Sequence, residues 1–212
     1  MRSSLVLCLL LASCQAYLES RLPYDPSLSG DPVADTRRAF GPDGKTPVLE
    51  RRVLVYPDGR VERHGDEREW FADGTPKAER SYDHEQPSGE WRSWYEDGTL
   101  RAQIDFGNGV DPAPMQFWHP NGELAGEGMG IAGVKEGHWD YWAEGGARDR
   151  SGAYVASLRE GVWTFWHANG QKRAEGSYTR GERSGEWKLW DEDGTLYVKQ
   201  TIEGRSRSEN RR

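Results

Sequence analysis

The chain has 212 residues, a formal net charge of −7, 30% charged residues and only 2 cysteines. An acidic chain argues against nucleic acid as a partner, because that affinity comes mainly from Lys and Arg neutralising phosphates. The mean hydropathy of −0.91 would suit a disordered chain, but 10 Trp, 9 Tyr and 5 Phe argue for a fold, one held by rings instead of a large aliphatic core.

Taken in chain order, residues 1–13 read as a cleaved export signal. Met1 and Arg2 give a positive start, and the apolar run from Leu5 to Ala12 is far short of the about 20 residues that cross a bilayer. Leu11-Ala12-Ser13-Cys14 resembles the lipobox of bacterial lipoproteins. That resemblance implies a diacylglyceryl group on the Cys14 sulfur, cleavage before Cys14 and acylation of the new amino terminus. It also implies a partner, the membrane, and a place, the bacterial cell envelope. Gln15 stands where an inner-membrane retention signal of enterobacterial lipoproteins carries Asp, which favours the outer membrane. Two or three acyl chains at about 0.8 kcal/mol per buried methylene make a stable anchor. Cys8 leaves with the signal and Cys14 carries lipid, so the mature chain is expected to hold no disulfide.

Residues 14–35 contain Pro23, Pro26 and Pro32 and read as a lipid-anchored flexible tether, reaching about 25 Å as a coil and about 60 Å if extended. Residues 36–74 carry turn glycines at Gly44, Gly59 and Gly74, too close together for the later repeat, and read as an N-terminal cap of single strands. Residues 75–202 are the repeat region. Residues 203–212, with Arg205, Arg207, Arg211 and Arg212, read as a disordered tail.

The repeat has a period of 24 residues. Gly74, Gly98, Gly122, Gly146, Gly170 and Gly194 keep it, as do Trp70, Trp94, Trp118, Trp142, Trp166 and Trp190. A second series runs Trp91, Met115, Trp139, Trp163 and Trp187, and a third Gly65, Gly89, Ala113, Gly137, Gly161 and Gly185. Asp-Gly or Asn-Gly pairs flanked by alternating aromatic segments mark β-hairpins. Pro57 and Pro120 just before the Asp or Asn suit a type I turn with a left-handed Gly behind it, a G1 bulge. A looser Gly-rich link such as Gly181 to Ser184 is expected between hairpins. The fold class is therefore all-β: an elongated single-layer antiparallel meander of hairpin repeats, each adding about 10 Å. Trp91 and Trp94 are three apart, so their series face opposite sides, giving an aromatic ladder on each. Which side also receives Leu100, Ala102, Ile104 and Phe106 depends on the turn.

The unit Gly-x-Trp-x-x-Trp-x-x-Asp/Asn-Gly, followed by Tyr82, Phe106, Tyr154 or Tyr178, resembles the MORN-repeat variant family over about residues 53–202. Many bacterial members carry an antitoxin-type label. The resemblance implies single-layer hairpin arrays working in protein contact or membrane association, not catalysis. A protein-interaction scaffold is thus the expected function, with Trp94, Trp118, Trp142, Trp166 and Trp190 as the binding ladder. The alternative is a glycan or cell-wall binder stacking sugars on the same rings. There is also a weaker likeness to choline-binding cell-wall repeats through Trp94-Tyr95 before Asp97-Gly98.

No catalytic, metal or cofactor site is expected. Gly128 to Gly133 satisfies G-x-G-x-x-G, but no strand–helix–strand unit surrounds it. Gly44-Lys45-Thr46 imitates only the end of a phosphate loop. His119 and His167, two repeats apart, stand about 19 Å from each other by strand spacing, and His64, His84 and His138 lie near links, where solvation is the simplest reading.

Overall fold

The computed structural model describes residues 30–107 and 109–202; the export signal, Cys14, most of the tether and the C-terminal tail lie outside them. The first half of the sheet holds β1 (Val33–Phe40), β2 (Pro47–Val55), β3 (Val61–Trp70), β4 (Pro76–Asp83), β5 (Gln86–Trp94), β6 (Leu100–Asp105) and β7 (Ala113–Trp118). The second holds β8 (Leu124–Ile131), β9 (Val134–Trp142), β10 (Arg148–Val155), β11 (Leu158–Trp166), β12 (Lys172–Thr179), β13 (Glu182–Trp190) and β14 (Leu196–Ile202). These 14 strands of the described residues form one sheet in chain order, β1 beside β2 through to β14, every pair antiparallel. β1 and β14 are its two edges, so the meander does not close. β1 starts at Val33, within the last residues of the stretch read as tether.

Two kinds of turn account for most of the connections. At Asp97-Gly98 the Tyr95 N–H donates to the Thr99 carbonyl at 2.9 Å and the Gly98 N–H to the Tyr95 carbonyl at 3.0 Å. Gly98 has φ +84°, which makes this the type I turn with a G1 bulge that the prolines foretold. The Asp97 carboxylate accepts the Thr99 N–H at 2.8 Å, and that bond holds its carboxyl below the usual range. Of the six links at the other end, β2–β3 turns through Asp58-Gly59 like the first kind, β6–β7 is a longer stretch between Asp105 and Ala113, and the other four are not loose. Asp83 pairs with Gln86, Ile131 with Val134, Val155 with Leu158 and Thr179 with Glu182, leaving two residues in each turn. Both of those residues have positive φ at His84-Glu85, at Ala132-Gly133, at Ala156-Ser157 and at Arg180-Gly181, the signature of a type I′ turn. Gly181 is therefore the second turn residue, and the residues after it are already strand. The cause is the right-handed strand twist, which type I′ turns match and loose links do not need.

Each tight link is followed by a bulge. Gly176 faces Trp187 but Ser177 faces Ser184, so Gly185 and Glu186 are extra residues on β13. Gly185, with φ +64°, supplies the left-handed residue the bulge requires. The bulge leaves the Ser177 carbonyl without its ladder partner, and the Trp187 indole N–H donates to it at 3.2 Å. Trp91, Trp139 and Trp163 do the same to Ser81, Met129 and Ala153. Glycine, indole and bulge thus form one device repeated along the chain.

The register sorts the two faces. One row crosses all fourteen strands from Arg38 through Glu50, Arg68, Glu79, Arg92, Gln103, Gln116, Glu127, Asp140, Ser151, Thr164 and Glu175 to Lys188 and Lys199. It is polar throughout. The opposite face carries the core, including Met115, Trp139, Tyr141, Trp163, Phe165, Tyr178 and Trp187. Ala102 and Phe106 are buried on that side as well, with Phe106 4.4 Å from the Trp91 ring.

Candidate functional site

The buried indoles need a floor and a roof, since a single sheet offers no second layer. The floor is glycine. A Cβ on Gly152 or Gly176 would come within 2.5 Å of Cγ of Trp163 or Trp187, and one on Gly128 within 2.6 Å of Cγ of Trp139; each ring lies flat on bare backbone. Between the indoles stand other rings, Tyr141 5.9 Å from Trp139 and 6.5 Å from Trp163, then Phe165 6.3 Å from Trp163 and 6.2 Å from Trp187. The roof is cationic. Lys135 Nζ sits 4.1 Å from the Trp139 ring, Arg159 Cζ 4.6 Å from Trp163 and Arg183 Cζ 4.3 Å from Trp187. Under these cations the three indoles are 0% exposed. Each such contact contributes about 0.5–2 kcal/mol.

Sequence reading missed this roof, although Lys135, Arg159 and Arg183 keep the 24-residue period. It also missed Glu67, which stands 24 residues before Trp91 and is 2% exposed. In place of an indole it is ion-paired to Arg51 and to Arg80 at 2.9 Å.

Lys135 is enclosed by Phe117, Trp139, Tyr141 and Tyr154, with ring centroids 4.1–5.3 Å from Nζ, and it donates to the Tyr141 hydroxyl at 2.6 Å. Burial, with Arg150 and Arg159 nearby, pushes its ammonium down to about 8; the ring faces work the other way and favour the charge. The unfolded chain protonates this lysine near 10.5. Between those values the unfolded state binds more protons, so stability rises with pH there and is flat below about 8. Urea titrations at pH 7.5 and pH 10 should show the native protein gaining on Lys135→Met by at most about 3 kcal/mol. A difference that does not change with pH would contradict a desolvated lysine.

The proposed ladder residues Trp94, Trp118, Trp142, Trp166 and Trp190 are brought into one row, half-buried, at the Asp-Gly end of the polar face. The expectation of ring-on-ring ladders on both sides needs correction. Among the described residues, the indole-ring contacts fall in the buried series. The second row is spaced by cross-strand partners, Leu100, Leu124, Arg148, Lys172 and Leu196. Arg148 Cζ lies 4.6 Å from the Trp166 ring and Lys172 Nζ 5.9 Å from Trp190. Neighbouring units are fastened here through main chain. Tyr95 donates to the Trp118 carbonyl at 2.8 Å, while His119 and His167 bond the carbonyls of Trp142 and Trp190 at 2.9 and 2.8 Å.

Other expected features find structural roles. The G-x-G-x-x-G run is β8 and its turn, with Gly128 under Trp139 and Gly133 against Phe106. At Gly44-Lys45-Thr46 the Lys45 and Thr46 N–H groups both donate to Asp43 at 2.9 Å, an Asx-type turn. His138 is exposed and 3.4 Å from Asp140. His64 and His84, by contrast, are not simply solvated, because their rings stand 4.6 Å apart.

The family described as the MORN repeat variant matches residues 63–84, 87–108, 159–179 and 183–203. Four of the hairpins are thus similar to the MORN repeat variant. They correspond to β3–β4, β5–β6, β11–β12 and β13–β14. Between them, residues 109–158 go unmatched, yet β7 to β10 continue the same hairpin pairing, although Ala113 and Met115 stand where the other units have Gly and Trp. No curated protein matches the chain. Among solved structures, a similar one is a protein of unknown function from Bacteroides fragilis, 9% identical, covering 81% of this chain and 93% of that chain with a TM-score of 0.13, a likeness too weak to inform function.

Proposed function

We propose that this MORN-repeat sheet is a non-catalytic interaction scaffold, held at a bacterial envelope by a lipid on Cys14, and that its second tryptophan row receives a protein partner. The observation that carries this reading is the division of labour between the two indole series. The buried series, with its glycine floor and cationic roof, supplies the core. Trp94, Trp118, Trp142, Trp166 and Trp190 remain half-exposed in register beside a wholly polar row. Tryptophan is among the residues that dominate the binding energy of protein interfaces.

Stacking of sugars on the same row has less support. Arg148 and Lys172 already stand against Trp166 and Trp190, which leaves a shorter platform around Trp94 and Trp118.

A photocrosslinking residue at Gln116 should capture a partner in intact envelopes, and the double substitution Trp118→Ala, Trp166→Ala should abolish that adduct without unfolding the sheet. An adduct unchanged by the substitutions would refute the assigned face. Retention on peptidoglycan, lost in the same variant, would favour the sugar reading. Mass spectrometry of the mature amino terminus tests the anchor, and a free thiol on Cys14 would remove it.

A further inference from the structure

We propose that His64, Asp83 and His84 form a surface site for a divalent transition metal ion, with zinc the best fit to the donors. The three residues meet at the link end of the sheet, His64 from β3, Asp83 from the end of β4 and His84 from the β4–β5 turn. One ligand atom from each lies within 4.8 Å of the others. Asp83 Oδ1 is 2.7 Å from His84 Nδ1 and 3.3 Å from His64 Nδ1. Zinc bound to imidazole nitrogen and carboxylate oxygen at about 2.0–2.2 Å in tetrahedral geometry sets its ligand atoms about 3.3 Å apart. The side chains are 40–69% exposed, so water completes the shell.

The scaffold under this site recurs, whereas its donors do not. In two other units, the main-chain N–H of the first turn residue is taken by a glutamate, Ala156 by Glu136 and Arg180 by Glu160, each at 2.8 Å. His64 occupies the same repeat position as Glu136 and Glu160, and His84 that of Ala156 and Arg180. Asp83 stands where those units have Val155 and Thr179. Three donor residues have thus gathered around the β4–β5 turn. The turn itself is anchored independently, since Glu85 accepts from Arg63 Nε at 2.7 Å and its N–H donates to the Arg63 carbonyl at 2.8 Å.

A conflict within the cluster points to a cation. His64 Nδ1 accepts the His84 N–H at 3.4 Å, which requires a lone pair there. The same nitrogen faces the Asp83 carboxylate oxygen at 3.3 Å, a second acceptor. A proton or a metal ion on Nδ1 takes that lone pair and gives up the His84 N–H bond in either case, but a metal ion also engages the Asp83 carboxylate and His84 Nδ1, and its binding would displace any proton held there.

Calorimetric titration of the untagged full chain with zinc chloride should show one ion per chain. Each of His64→Ala, Asp83→Asn and His84→Ala should weaken binding by at least about tenfold, the loss that even outer-shell changes can bring. His138→Ala should leave it unchanged. His84→Ala should keep the fold, because Ala156 occupies the same turn position with φ +51°. Zinc should shift the imidazole nitrogen resonances of His64 and His84 and leave those of His138 in place. Nickel should bind at the same residues and magnesium should not, given the imidazole donors. Absence of zinc binding at millimolar metal, binding that survives His84→Ala, or equal binding of magnesium would each overturn the proposal.

Discussion

Trp163→Ala is expected to lower stability by about 3–5 kcal/mol, the usual cost of removing a buried tryptophan. Trp166→Ala, three residues away on the same strand, should cost no more than about 2 kcal/mol. Sequence alone treats the two tryptophans alike, since both keep the 24-residue period. They differ in surroundings. Trp163 touches Tyr154 at 5.0 Å, Tyr178 at 6.2 Å and Phe165 at 6.3 Å, and its N–H satisfies the carbonyl of Ala153. Removing it opens a cavity between floor and roof and leaves the bulge carbonyl unpaired. Trp166 is half-exposed, and water can fill its place. Chemical denaturation of both variants would decide; equal losses would contradict the assignment of the two rows.

Gly176→Ala should be nearly as damaging, about 1–3 kcal/mol or more, through overpacking. The added methyl would lie 2.5 Å from Cγ of Trp187, against an ordinary carbon contact of about 3.5–4.0 Å. A turn glycine such as Gly98 fails for another reason: its φ of +84° strains any L side chain, but nothing lies within 4 Å of its Cβ position. The distinction can be measured. If Trp187→Ala is present first, Gly176→Ala should become much cheaper, a coupling of at least about 1 kcal/mol between touching residues. Additive costs would show that the glycine does not serve as a platform.

Much of this fold is legible in the sequence because the repeat states its own geometry. Asp97-Gly98 and its relatives name the turn, and Pro57 and Pro120 select the bulged type over type I′. The three-residue step from Trp91 to Trp94 separates the faces. The tight links at His84-Glu85 and Ala156-Ser157 were not legible because these are ordinary L residues held at positive φ, and no local residue type announces it. They are held there by pairing on either side. The roof was illegible for a related reason. Lys135, Arg159 and Arg183 read as charges near links, and only their shared spacing with the indoles could have linked them to the core. The cluster of His64, Asp83 and His84 depends on a contact between β3 and the β4–β5 turn, 20 residues on, which a reading of separate histidines cannot find. Glu67 shows the limit of the repeat itself, since the Trp position can hold a carboxylate when Arg51 and Arg80 flank it.

Hydrogen exchange of the indole N–H groups in protein labelled with nitrogen-15 at tryptophan tests the account most directly. The structure predicts slow exchange at Trp91, Trp139, Trp163 and Trp187, whose N–H groups donate to bulge carbonyls at 2.9–3.2 Å. It predicts fast exchange at Trp70, Trp94, Trp118, Trp142, Trp166 and Trp190. Two classes falling along this division would establish the one-sided aromatic core; equal protection of all ten indoles, or protection of the second row instead, would contradict it.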